Sequence, residues 1–182
     1  MKDRLREAVF NLIGPAIRGM HAVDLFAGTG ALGLEAISRG AERATLIEQH
    51  NPTASIIRQN IASLGMQQQA EVVVGNAFIW RRVKGSGVFA KDNVTGQRPS
   101  SDNKDSRLLC SWVVFCSPPY DFYVERGDEM EELIAELIQS APPGSVFVVE
   151  ADARFDFQTL PDPQAWDVRP YPPAVVGIYR KE

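Results

Sequence analysis

Cysteine is nearly missing from this chain, which carries only Cys110 and Cys116. Two thiols so close together make neither a disulfide framework nor a zinc site, both of which need more ligands at characteristic spacings. They read as buried, reduced thiols on or near one strand. Long apolar runs are missing too: nothing approaches the ~18–20 residues that span a bilayer. The start, Met1, Lys2, Asp3 and Arg4, leads into an amphipathic pattern rather than a signal-peptide stretch. The expected location is cytoplasmic. Histidine is limited to His21 and His50; one begins a strand, the other closely follows one, and both read as structural. A strongly basic balance is also lacking. With a net charge of −4 and a pI near 5.3, the chain has no basic domain of the kind that usually marks nucleic-acid binding.

What is present is an ordinary globular composition, 45% hydrophobic and 23% charged over 182 residues, which argues for one domain with one core. The charges are unevenly spread. Residues 81–120 hold 7 Lys/Arg against 3 Asp/Glu, whereas residues 121–182 hold 5 against 13. Any nucleic-acid contact must therefore come from a local patch, with Arg4 and Arg6 near the start and Arg81, Arg82, Lys84, Lys91, Arg98, Lys104 and Arg107 in the middle as candidates.

Periodicity predicts a helix over 3–13, then strands and helices in alternation: strand 21–26, helix 30–39 stopped by Gly40, strand 44–48 and a helix running to Gly65. That last helix should have Asn51 as N-cap and Pro52 at its first position. Strands follow at 71–74, 111–116 and 145–150, an acidic helix at 128–140, and two closing strands at 165–170 and 174–180 joined through Tyr171, Pro172 and Pro173. Alternation of this kind implies an α/β fold with a mostly parallel sheet, helices on both faces and an antiparallel edge. Residues 85–106 read as a long polar loop or insertion.

Two motifs carry chemistry. The first runs from Asp24 through Phe26, Ala27, Gly28, Thr29 and Gly30 to Gly33, with Glu48 twenty positions after Gly28 and Gln49 beside it. Glycines allow a tight turn and close approach to a ligand, a helix N-terminus offers free amides, and an acid at the end of the second strand suits ribose hydroxyls. The glycine spacing also satisfies the dinucleotide pattern, so NAD has to be weighed. Asp24 argues against it. A carboxylate at the end of the first strand repels a pyrophosphate but attracts the ammonium group of S-adenosylmethionine, whose sulfonium is cationic as well. The second motif is Ser117, Pro118, Pro119 and Tyr120, directly after the strand Trp112–Cys116. Its prolines fix the backbone and leave carbonyls free to accept hydrogen bonds, while Tyr120 offers a face for a planar base.

These stretches, DLFAGTGALGLEAISRGA at 24–41 and SPPY at 117–120, together with DRLREAVFNLI at 3–13 and VVVGNAFIW at 72–80, resemble the RsmD-like family of 16S rRNA guanine-N2 methyltransferases. The resemblance implies a Rossmann-like class I methyltransferase with a seven-stranded sheet, S-adenosylmethionine as cofactor, and small-subunit ribosomal RNA as partner. Carried over by position, it implies that Asp24, Gly28 and Gly30 hold the methionine part, Glu48 the ribose, and Asn76 with Ala77 the adenine. Phe26, Ala27 and Gln49 would complete the cofactor contacts, and Ser117, Pro118, Pro119 and Tyr120 would hold the target base. Ser117 stands where the family usually has Asp, whereas Ser occurs at that place in other amino-methyltransferases, notably those for cytosine N4, and Asn76 stands where Asp is common. The family normally carries an N-terminal extension before the DRLRE-like block, where this chain begins. Methylation of another amine, cytosine N4 or adenine N6, and a weakly catalytic cofactor-binding module are the alternatives to guanine N2.

Overall fold

The computed structural model of the chain describes residues 3–84 and 110–182, the side chains of 81–84 excepted. The polar stretch 85–106 and its basic residues lie outside the described residues. Among the helices are α1 (Asp3–Ile13), α2 (Ala31–Ser38), α3 (Asn51–Leu64), α4 (Ala77–Lys84), α5 (Phe122–Glu125) and α6 (Gly127–Ser140). The strands are β1 (His21–Asp24), β2 (Arg43–Glu48), β3 (Ala70–Val74), β4 (Trp112–Cys116), β5 (Val146–Asp152), β6 (Asp167–Tyr171) and β7 (Ala174–Arg180). They form one seven-stranded sheet in the order β3-β2-β1-β4-β5-β7-β6. Pairing is parallel from β3 to β5, and β7 then runs antiparallel to both β5 and β6. This is the mostly parallel sheet with an antiparallel edge that the alternation predicts.

The central strand β4 is apolar throughout because both of its faces are covered. Along β4, Val113 and Phe115 join the core beneath α1, α2 and α3, whereas Trp112, Val114 and Cys116 join the core beneath α6. On the first face Phe10 of α1 meets Phe115 with ring centroids 5.5 Å apart. On the second, Met130, Leu133, Ile134 and Leu137 repeat at helical spacing along α6 and are buried. The carbonyl end of α6 is closed by Lys181, whose Nζ donates to the carbonyls of Ile138 and Ala141, each at 2.7 Å. No helix among the described residues is long and apolar enough to cross a membrane.

Several local expectations need correction. The first strand ends at Asp24 rather than residue 26, although the Leu25 amide still donates to the Phe115 carbonyl at 3.0 Å. Asn51 is already helical: His50 is the N-cap, and its Nδ1 lies 2.8 Å from Thr53 Oγ1. Helices α4 and α5 are additions to the sequence reading. Asn76 marks the start of α4, its Oδ1 accepting from the Phe78 amide at 2.9 Å. Of the two thiols, Cys116 is buried in β4, but Cys110 is only half-buried ahead of it; both are free.

Gly30 shows how the first loop meets the sheet. It has φ 85°, and a Cβ there would stand 3.0 Å from Ile57 Cγ2 and 3.1 Å from Leu46 Cδ2. Left-handed backbone costs an L-residue roughly 1–2 kcal/mol, and the close approach adds to that. Gly30→Ala should therefore lower unfolding free energy by at least about 1 kcal/mol in urea denaturation. An unchanged value would show that the loop does not need this geometry.

Candidate active site

From β1 the chain crosses to β2 on one side, and from β4 it crosses to β5 on the other, so the direction of winding reverses between β1 and β4. In such a sheet the crevice at the carboxyl ends of those strands is where ligands bind. A cavity of about 560 Å³ opens there, a volume typical of small-molecule sites. Eleven of the thirteen residues singled out in the sequence line it: Phe26, Ala27, Gly28, Glu48, Gln49, Asn76, Ala77, Ser117, Pro118, Pro119 and Tyr120. Asp24 and Gly30 are not part of the lining.

At one end of the cavity the Glu48 carboxylate clamps the glycine loop. Its Oε2 accepts from the Gly28 amide at 2.9 Å and its Oε1 from the His50 amide at 2.8 Å. A carboxylate oxygen accepts more than one hydrogen bond, so both keep capacity for ribose hydroxyls. Asn76 spends its side-chain oxygen on capping α4, and both Asn76 and Ala77 line the cavity. Phe26 and Phe78 meet edge to face at 6.1 Å, and Phe26 and Phe122 at 6.0 Å, making an apolar wall suited to a planar ring. The Arg126 guanidinium covers Phe78 from 3.9 Å.

Asp24 lies behind the loop rather than in the cavity. It is 1% exposed; its Oδ2 accepts from the Gly33 amide at 3.2 Å, while its Oδ1 has no hydrogen-bond partner. Burial pushes its carboxyl up to about 7, against the opposing pull of the Gly33 and Phe26 amides. Direct contact with a cofactor ammonium is thus not what the geometry offers. Asp24 instead braces the start of α2, and its ionised form, disfavoured by burial, is one that a cation in the cavity would stabilise. The donor set fits a cationic nucleoside: acceptors at the sugar end, an aromatic wall, and an unpaired buried carboxyl oxygen.

At the other end, Ser117 and Tyr120 converge on a residue the sequence reading missed. Ser117 Oγ donates to Glu150 Oε2, Tyr120 Oη donates to Glu150 Oε1 at 2.9 Å, and Tyr123 Oη donates to the Glu150 carbonyl at 3.0 Å. Burial first, and then the hydrogen bond to Glu150 and its charge, push the Tyr120 phenol up to about 12, so it stays a donor. Glu150 reads as the last residue of a buried strand, but β5 overruns β4. Their pairing stops at Cys116 and Val149, and Glu150 to Asp152 pair only with β7. That overrun carries Glu150 into the cavity lining. An acid closing the apolar run SVFVVE, as Asp24 and Glu48 close theirs, is the signal that could have found it.

Arg6, a candidate for nucleic-acid contact, also lines the cavity, with one guanidinium nitrogen 3.0 Å from Asp3. Neither histidine lines the cavity. His21 Nε2 lies 2.9 Å from Thr45 Oγ1, and burial, with Arg43 nearby, lowers its imidazole to about 3, keeping it neutral.

The family model described as conserved hypothetical protein 95, the RsmD family, matches residues 1–168. The chain belongs to the RsmD family. Within it, ribosomal RNA small subunit methyltransferase D of Escherichia coli K12 is 44% identical over 84 residues, 46% of this chain and 42% of that protein. The Haemophilus influenzae protein of the same name is 39% identical over 72 residues, 39% of this chain and 37% of that protein. These matches span about two fifths of the length of the curated relatives. A solved Escherichia coli structure, the methyltransferase candidate yhhF, superposes with a TM-score of 0.72 at 28% identity, covering 100% of this chain and 87% of that one. The fold is the Rossmann-like class I methyltransferase fold that the resemblance implies.

The buried Asp24 generates a pH-dependent prediction. Its folded-state value lies above that of an unfolded aspartate, so the native state holds the extra proton between about 4 and 7. Stability from this group is therefore highest at the acid end and falls as pH rises through that window. Asp24→Asn removes the titration. The melting temperature of the variant minus that of the parent, without ligand, should become more positive from pH 5 to pH 8. A difference independent of pH would show that Asp24 is not held above its ordinary range.

Proposed function

We propose that the chain is an S-adenosylmethionine-dependent methyltransferase that modifies the exocyclic N2 amine of a guanine in small-subunit ribosomal RNA, acting in the cytoplasm. The observation that carries this reading is a cavity with two chemically different ends: the Gly28–Glu48 clamp at one and Ser117 to Tyr120 with Glu150 at the other. When bound, the cofactor supplies an electrophilic methyl group on a cationic sulfur.

The chain's own residues hold and orient. Glu48 accepts from the ribose hydroxyls, and Asn76 with the Ala77 backbone reads the adenine against the aromatic wall. Tyr120 stacks a base extruded from its strand, and the Pro118 carbonyl and Ser117 accept from the exocyclic amine, turning its lone pair toward the methyl. The buried acid behind the loop disfavours the pyrophosphate of NAD. The names of the Escherichia coli and Haemophilus influenzae relatives support ribosomal RNA as the substrate class. A second reading, transfer to cytosine N4 or adenine N6, is favoured by Ser117, a neutral hydroxyl where the resemblance implies a carboxylate.

The test is transfer of labelled methyl to isolated small ribosomal subunits and to their RNA, with the modified nucleotide mapped by mass spectrometry. Guanine N2 methylation is the expected product, and modification confined to cytosine or adenine would overturn the guanine assignment. Base stacking on an aromatic ring is worth roughly 1–3 kcal/mol. Tyr120→Ala should accordingly cut kcat/KM for RNA by about 5- to 150-fold with little change in S-adenosylhomocysteine affinity; undiminished transfer would reduce Tyr120 to a turn residue.

A further inference from the structure

We infer that Glu150 is the carboxylate of the transfer site, positioning the target amine and taking up its proton through Ser117. The inference rests on the amine-methylation reading above and assigns a role to a residue outside its motif. Glu150 is 3% exposed, yet it lines the cavity and receives hydroxyl hydrogens on both carboxylate oxygens, from Ser117 and from Tyr120. Its main chain is fixed as well, by pairing with Val176 of β7 and by the Tyr123 hydroxyl on its carbonyl.

This arrangement answers the question that Ser117 raises. A serine hydroxyl has one hydrogen, and here it is directed at Glu150. The lone pairs of Ser117 Oγ are therefore left to accept from an incoming N–H. Hydrogen bonds that involve an ionised partner are roughly twice as strong as neutral ones, so the carboxylate lends acceptor strength to the serine in front of it. Ser117 and Glu150 together supply what one carboxylate directly after β4 would supply. Tyr120 hangs from the second oxygen of the same group, so Glu150 also sets the plane on which the base stacks. Among the described residues of the lining, the other carboxylate is Glu48, which is committed to the glycine loop.

In the transfer step the amine nitrogen forms a bond to the methyl carbon as the methyl–sulfur bond breaks, and the sulfur keeps the electron pair to become a neutral thioether. The nitrogen loses a proton to Ser117 Oγ, and the serine's own proton passes to Glu150 Oε2. The products are an N-methylated base, a neutral thioether and a neutral Glu150, which returns its proton to water.

The test uses the full chain with small ribosomal subunits, or whichever RNA it methylates, in single-turnover transfer. Proton acceptance by a positioned group is worth roughly 100-fold or more, so Glu150→Gln should lower the rate at saturating RNA by about that factor. Affinities for RNA and for S-adenosylhomocysteine, and the melting temperature, should stay close to the parent's. Restoring a carboxylate in front of the amine should rescue the loss: the Ser117→Asp, Glu150→Gln double variant should recover to within about tenfold of the parent. A structural role for Glu150 would not be rescued this way. Full activity in Glu150→Gln, or a double variant no faster than the single one, overturns the inference while leaving the methyltransferase reading in place. A parent that binds S-adenosylhomocysteine but transfers methyl to no RNA base overturns both.

Discussion

The site depends on where the parallel strands stop, and on the acids placed at those stops. Asp24 ends β1, Glu48 ends β2 and Glu150 stands where β5 outruns β4. Parallel strands must be joined by crossovers, so their carboxyl ends all reach the same edge, and the reversal of winding between β1 and β4 opens that edge into a cleft. Each acid has a distinct function because each has distinct partners. Asp24 is sealed behind the glycine loop and holds α2, Glu48 shapes the loop while keeping acceptor capacity, and Glu150 gathers Ser117 and Tyr120.

This placement gives the cavity an electrostatic character that net charge does not convey. Burying carboxylates is unfavourable unless they are hydrogen-bonded or face a cation, and here the hydrogen bonds are incomplete at Asp24. A cationic ligand at the glycine loop relieves that deficit, whereas a pyrophosphate worsens it. The same glycine spacing can thus serve either class of nucleotide, and the acids behind it select between them.

The central sheet was legible because β4 and the first four residues of β5 are apolar runs and because helix ends carry Gly40 and Gly65 in left-handed conformations. The glycine loop and the Ser117–Tyr120 turn were legible because their residues are sequence neighbours, and eleven of the thirteen residues given a cofactor or base role do meet in one cavity. Less visible was depth. Asp24 and Gly30 share a motif with Gly28, but only the fold shows that they lie behind it. Glu150 was hidden for the converse reason: it is separated from Ser117 by 33 residues, and nothing local reveals that β5 runs past β4. Helix α4 escaped because its cap, Asn76, reads equally well as a ligand contact, and it serves α4 through its side-chain oxygen.

An acidic strand edge of this kind favours a cationic nucleoside over a dinucleotide. Calorimetric titration decides between them, with S-adenosylmethionine, S-adenosylhomocysteine and NAD added in turn to the parent and to Glu48→Ala. Saturable binding of the first two, no binding of NAD, and a loss of roughly 1.5–3 kcal/mol in the variant, the range for hydrogen bonds to a charged group, are expected. Saturable binding of NAD with no response to S-adenosylhomocysteine would contradict this preference.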